Sequence, residues 1–464
     1  MLGSGTIEDP YKIEKVEDLV SLSEQVNSGK TYNNKYFELT DKLDFYNDES
    51  YKNPEKKYDD INEDGKIDSI KAELTTGNGF KPIANSEQCS FEGIFKGNDK
   101  SIVNVRMVKN GTDNLIGLFG NNKGTVSNLK VSGNITVNAN VEDVEIYIGM
   151  LVAKNKGMIQ SCDTEGEINV ISNNTSTKVA GITAENSGKV IDSASGTNIV
   201  SDQTKAGIIA ENIVLENVEN SGEITNCTNT GTIQENAGTD FYTAGVVANN
   251  RDGNITNCNN NGEIVGRKVG GVVGISTGYI VACQNTGSIK NVAEDSNNLE
   301  DAGGIVGTLE IAKLENCKNT GTISGITNIG GIVGQNRGTI IQCKNEGEIF
   351  KIANVIAQNV NIGGVVGKND TNSKLSNSKN SGSINSETDN LINMGGICGI
   401  FYNNSLIETC ENNGQIVGAA QTVNPNNDID NHCISCSNNG IGNIQVTDFG
   451  ELNVGVIYGK YEEK

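Results

Sequence analysis

Along most of the chain, short runs of Ile, Val and Leu alternate with polar bends built from Gly and Asn. The stretch "GGIVGQNRGTIIQCKNEGEI", residues 330–349, is one example. Close relatives of it stand at 149–168, 244–264, 270–289, 303–323, 363–384 and 395–416. The shared unit reads G-G-[IV]-[VC]-G, a polar bend, an apolar residue three before Cys, then C-x-N-x-G-x-I. Its second Gly recurs at Gly271, Gly304, Gly331, Gly364 and Gly396. Three short apolar pieces per unit are too brief for a helical repeat and lack the 3.6 period, so they predict strands. A repeat of this size with three short parallel strands predicts an all-β fold, a parallel β-helix of about 11–12 coils stacked at about 4.8 Å, about 55 Å in all.

In such a stack, equivalent residues form columns. The cysteine column reads Leu129, Cys162, Val218, Cys258, Cys283, Cys317, Cys343, Ser378, Cys410 and Cys436. Because Leu, Val and Ser share it, it predicts an inward place for a small buried group and no redox or metal site. Two residues later stand Asn220, Asn260, Asn285, Asn319, Asn345, Asn380, Asn412 and Asn438, spaced to form a ladder of amides from coil to coil. The Gly two places further on is expected to supply backbone freedom at the bend. The residue after that Gly predicts an outward column, Glu167, Thr197, Glu223, Thr232, Glu263, Ser288, Thr322, Glu348, Ser383 and Gln415, in which no two Glu are consecutive. Between 217 and 233 the turn signal occurs twice, and the repeat alone does not say which copy is in register.

The ends depart from the pattern. Val16, Leu19, Val20, Leu22 and Val26 mark an amphipathic helix ending at Gly29, flanked by the strands "YKI" and "YFELTDKLDF". Residues 1–45 are therefore expected to form an N-terminal cap, 46–80 an acidic inserted loop, 81–436 the repeats, and 437–464 the last coil and C-terminal cap.

Composition narrows the function. With 56 Gly, 4 Pro, no Trp and 35% hydrophobic residues, the chain suits many short strands. A net charge of −22 without any basic run excludes nucleic acid as an expected partner. No apolar run approaches the roughly 20 residues that span a bilayer. The Gly-rich start and the absence of a secretory signal predict a fragment of a larger exported protein.

One motif carries candidate chemistry. In "DINEDGKID", Asp60, Asn62 and Asp64 occupy positions 1, 3 and 5 of a calcium loop, Gly65 the turn, Lys66 the carbonyl position and Asp68 the water-bridged one. Position 12 is Lys71 where the loop type carries Glu, and Glu73 follows two places late. "HCISC", His432 to Cys436, offers three ligands, and Cys436 already belongs to the column. The single His excludes both a HExxH zinc site and a histidine-dependent triad.

The opening "GSGTIEDPYKI…VEDLVSLSEQVNSGKTYNNKYFELTDKLDF", with "FKPIA…FEGIFKGNDKSIVNVRM…IGLFGNNKGTVSNLKV", resembles GLUG-motif proteins of bacterial cell surfaces. Phe80 stands where that family places an aromatic before its "PI" segment, and the family's Trp is absent. The resemblance implies a right-handed β-helix within large exported proteins, among them adhesin-like stalks and the non-catalytic regions of immunoglobulin-A-type metallopeptidases. It implies no catalytic residue. The expected function is a non-catalytic, extracellular adhesive or spacer module with an unidentified protein or glycan ligand and a Ca²⁺ ion on the inserted loop. Segments 138–147, 290–302, 350–362 and 420–432 are the expected contact surfaces. The alternative is a β-helix polysaccharide hydrolase or lyase, which needs carboxylates gathered on one face.

Overall fold

The computed structural model describes the chain except residues 46–78, 110–112, 140–144, 173, 220, 236–240, 293–299, 353–359, 387–391, 403, 420–432, 435–436, 439–444, 448–451, 456–457 and 463–464. It is a parallel β-solenoid of two compact units, residues 1–198 and 199–464.

One coil of the second unit shows the construction. Strands Asn328–Gly330 and Val333–Asn336 meet at a Gly-Gly turn, followed by Thr339–Ile341, Lys344–Asn345 and Ile349–Lys351. Five short strands thus replace the three expected from the apolar runs. The two-residue strand around Asn345 holds too few apolar side chains to register as one. Each strand pairs in parallel with its copy: Gly330 with Gly363, Val333 with Val366, Ile340 with Leu375, Asn345 with Asn380, and Ile349 with Ile384.

The side chains of Ile329, Ile332, Val333, Ile340, Cys343 and Ile349 point inward and are fully buried. One coil cannot enclose such a strip alone, so each is covered only by stacking. The Gly-Gly turn exists because the backbone closes on itself there. A Cβ on Gly330 would lie 1.8 Å from the Val333 carbonyl oxygen.

Bends between the short strands are made differently from the expectation. The residue before the column cysteine has left-handed backbone: Asn226, Asn257, Ala282, Asn316, Gln342, Asn377 and Thr409 all have φ between 50° and 56°. Asn suits that conformation, whereas Ala, Gln and Thr accept it at a cost of about 1 kcal/mol. The Gly after the ladder Asn serves another purpose. Gly347 has no positive φ, but a Cβ there would stand 2.0 Å from the Gly321 carbonyl of the preceding coil. It is required by close stacking and not by freedom of the bend.

In the first unit the helix Val16–Asn27 buries Val16, Leu19, Leu22 and Val26. Ser23 Oγ donates to the Lys81 carbonyl at 2.7 Å, and Asn27 Nδ2 to the Pro82 carbonyl at 3.0 Å. Strand Tyr11–Ile13 pairs in parallel with Tyr36–Leu39, which pairs in turn with Ile94–Val108. Tyr11, Tyr32, Phe37, Phe91, Phe119 and Phe95 then form a continuous aromatic stack inside the unit, ring centroids 4.9–5.8 Å apart.

Candidate functional site

The columns decide which groups remain available for chemistry. In the second unit Asn229 Nδ2 donates to Asn260 Oδ1 at 2.8 Å, and the same bond runs through Asn285, Asn319, Asn345, Asn380 and Asn412 at 2.7–2.9 Å. Each amide also donates to the carbonyl of the Gly two residues on, and in most rungs that Gly donates back: Asn319 Nδ2 donates to the Gly321 carbonyl at 2.9 Å, and Gly321 N donates to Asn319 Oδ1 at 3.2 Å. These amides are at most 1% exposed, so every lone pair and proton they carry is spent inside the stack.

The register through 217–233 is that of the second copy. Cys227 pairs with Cys258 and Asn229 with Asn260, while Val218 lies on the surface, 50% exposed, and is no member of the column. Ser193 takes the column place in the first unit, accepting the Cys162 amide at 3.1 Å. Two members of the outward column also change. Thr197 is buried and donates to Thr164 Oγ1, and Glu223 belongs to the strand Glu223–Thr225. From Thr232 to Ser383 the Ile after each member donates its N–H to the carbonyl of the next member, as Ile233 does to Glu263 and Ile384 to Gln415.

The thiols have a polar role that their size alone hides. Cys227, Cys258 and Cys283 each donate their backbone N–H to the sulfur of the next coil at 3.3–3.4 Å. The S–H groups of Cys258, Cys283 and Cys317 donate to the carbonyl two residues back at 3.3 Å. Ser378 reproduces both bonds, accepting Cys343 N at 3.1 Å and donating to the Ser376 carbonyl at 2.9 Å. Burial pushes the Cys162 thiol up to about 12 and raises Cys258 and Cys317 well above the ordinary thiol range. They stay protonated and unreactive at neutral pH. Cys89, Cys162, Cys227, Cys258, Cys283, Cys317, Cys343, Cys398 and Cys410 are free thiols, and of these Cys89 is the one that is not buried.

Two further ladders went unread in the sequence. Asn122, Asn155 and Asn186 in the first unit, and Asn336 with Asn369 in the second, are joined by amide bonds of 2.7–2.8 Å. Their signal is the Asn closing G-x-N or A-x-N after the apolar pair. The other runs from Asn393 to Asn361 to Asn328 and ends on Asp301 Oδ1, each step 2.8 Å. Asp301 Oδ2 accepts from Thr308 at 2.7 Å, and burial raises its pKa.

A buried charge row lies at the base of segment 290–302. Lys205 Nζ stands 3.6 Å from Glu235 Oε2, Arg267 N donates to that oxygen at 3.0 Å, and Arg267 Nε contacts Glu300 Oε1 at 3.0 Å. Desolvation lowers the Lys205 pKa to about 8 despite Glu235. Alternating signs let charges persist where water is excluded.

On the outer corner after the strands ending at Ser276, Leu309 and Asn336, an open groove of about 500 Å³ crosses several coils. Tyr279, Lys313, Arg337 and Ile311 line it. Ile311 is 90% exposed, because its coil carries one residue more than its neighbours at this turn.

The calcium motif, Asp60, Asn62, Asp64, Lys66 and Asp68, lies outside the described residues, as do His432, Cys436, Asn220 and most of the four expected contact segments. Among the described residues no group of three His, Cys, Asp or Glu is placed to hold a metal ion, and no helix is long and apolar enough to cross a membrane.

Comparison with known proteins gives similarities of three kinds. The GLUG motif matches residues 298–324 and 358–385. Halomucin of Haloquadratum walsbyi is 26% identical over 171 residues, 36% of this chain, and the match spans 2% of halomucin's length. A solved structure from Bacteroides ovatus, described as a candidate immunoglobulin A1 protease, aligns over 77% of this chain and 79% of its own at 16% identity. Its TM-score of 0.32 is too low to carry an argument. Both GLUG segments span a Gly-Gly turn, a column position and a ladder Asn: Gly303, Cys317 and Asn319 in one, Gly363, Ser378 and Asn380 in the other. The chain is thus a parallel β-solenoid in which residues 298–324 and 358–385 match the GLUG motif.

Proposed function

We propose that this chain is a non-catalytic β-solenoid module of a larger exported protein, displayed at a bacterial cell surface as an adhesive element or spacer. The observation that carries the reading is the use of its inward polar groups. The amides from Asn229 to Asn412 are bonded to their own stack, and the column thiols are buried, with desolvation holding Cys162, Cys258 and Cys317 protonated. Such a framework holds itself rigid and leaves recognition to the outer corners and inter-coil segments. The GLUG match and the similarity to halomucin support a surface setting. Segments 138–147, 290–302, 350–362 and 420–432 are the proposed contact surfaces for a protein or glycan ligand.

The test displays the full chain on beads and measures adherence to cells, alongside turnover of polysaccharide and peptide substrates. Adherence without turnover supports an adhesive role. A rigid separation of two end labels without adherence supports a spacer, and turnover by the purified chain overturns the reading.

A bound Ca²⁺ on Asp60, Asn62, Asp64, Lys66 and Asp68 belongs to the same proposal and rests on the spacing of its oxygen donors. Thermal melting with added Ca²⁺ should exceed melting with chelator. Equal transitions, with no calcium by elemental analysis, remove the ion.

A further inference from the structure

The outer-corner groove of the second unit carries polar and aromatic groups that the framework itself does not use. Its walls come from turns of successive coils, at 252–254, 277–279, 311–313, 337–339 and 372, so it runs along the stack for about 19 Å. Its volume, about 500 Å³, falls within the range of small-molecule sites.

At its centre the Tyr279 ring is partly exposed and fixed in place. Tyr279 Oη donates to Glu315 Oε2 at 2.8 Å, and Lys313 Nζ donates to Tyr279 Oη at 3.0 Å. Lys313 also contacts Glu315 at 2.5 Å and lies 5.2 Å from the ring centroid. Arg337 is fixed likewise, between Glu310 at 2.5 Å and Asp370 at 3.1 Å. The cations are therefore spent on carboxylates beside the groove. Other polar groups are free. Among the described residues nothing bonds the side-chain amides of Asn254 and Asn372 or the hydroxyl of Thr339, and Asn254 and Asn372 are exposed. Ile311 adds an aliphatic edge at 90% exposure.

A pre-positioned aromatic face flanked by uncommitted amides and a hydroxyl suits a polyhydroxylated ring. The C–H face of the ring lies on the aromatic, and its hydroxyls both donate to and accept from Asn and Thr. Charge decides which kind of sugar. Asp252 on the groove and Glu310, Glu315 and Asp370 beside it outnumber Lys313, Arg337 and Lys368 by four to three, and the chain carries −22 overall, so sialylated, uronic or sulfated sugars are disfavoured. We propose that this groove binds an uncharged oligosaccharide, a few pyranose rings laid along the stack with one resting on Tyr279. The inference rests on the adhesive reading above and names the ligand class for it.

The experiment presents the full chain to an array of neutral oligosaccharides (glucans, mannans, galactans and N-acetylhexosamine oligomers) beside sialylated, uronic and sulfated ones and a set of peptides. Hits are titrated by calorimetry. A neutral oligosaccharide should bind, Tyr279→Ala should weaken it about tenfold, and Tyr279→Phe should hold it within about threefold, since the ring is kept. If Tyr279→Ala fails to fold, Asn372→Ala on the exposed turn is read in its place, with an expected loss of about threefold or more. Binding confined to anionic sugars or peptides, no binding by any neutral sugar, or binding indifferent to these substitutions overturns the proposal. Cell adherence separates it from the broader reading. Equal adherence by the original chain and Tyr279→Ala sinks the groove and leaves adhesion standing. Failure of both to adhere sinks adhesion, and the array still reads the groove.

Discussion

Cys283 accepts the Cys258 amide, which the left-handed Asn257 beside it takes out of the strand ladder, and donates to the Val281 carbonyl, which also accepts the Asn257 amide. The thiol is a hydrogen-bonding plug, which is why Ser can replace it and why a hydrocarbon of equal size does so at a cost. Cys283→Ser should shift the urea midpoint by less than about 1 kcal/mol of stability. Cys283→Val, which leaves a buried N–H unpaired, should cost about 2 kcal/mol. Asp301 is the opposite case, a carboxyl at a place that three neighbours fill with Asn. Burial raises its pKa in the fold, so the folded chain holds a proton that the unfolded chain has released. Its contribution is therefore full at acid pH and falls as pH rises from the unfolded value of about 4 through the folded one. Asp301→Asn should melt higher at pH 7, by about 1 kcal/mol, with the gain shrinking as pH approaches 4.

The ladder from Asn229 to Asn412 behaves as an element in its own right. Each amide holds its own turn through the following Gly and passes one bond to the next coil, so losing a rung affects two interfaces. Asn319→Ala strands the Gly321 amide and carbonyl and breaks the bonds to Asn285 and Asn345. A loss of about 3 kcal/mol is expected in chemical denaturation, more than for an exposed Asn such as Asn261. The ladder positions were readable from the sequence because a residue that pairs with its own copy recurs at a fixed offset. The left-handed bend was not, since Ala282, Gln342 and Thr409 carry no turn signature and adopt it under the pull of the bonds on either side.

For the second unit as a whole, stability is a sum over coils and the interfaces between them. Removing residues 304–330 should leave a folded solenoid, because it joins Gly303 to Gly331 and brings Asn285 against Asn345, with the Gly-Gly turn and amide register intact. Circular dichroism should keep its β signature with a lowered midpoint. Removing half of that segment should abolish the cooperative transition, because it sets inward residues facing outward.

The sequence alone determined the repeat, its parallel strands and the inward positions of thiol and amide, since stacking makes each column its own neighbour and so writes itself at a constant spacing. Tertiary structure decided what spacing cannot carry. It put Cys227 and not Val218 in the column, because only one copy of a doubled signal can continue the ladder through Asn229 and Asn260. It assigned Gly347 to close stacking between coils. It also gathered Tyr279, Arg337, Asn254 and Asn372 at one groove, residues from turn positions that differ in every coil and meet only because the coils are stacked.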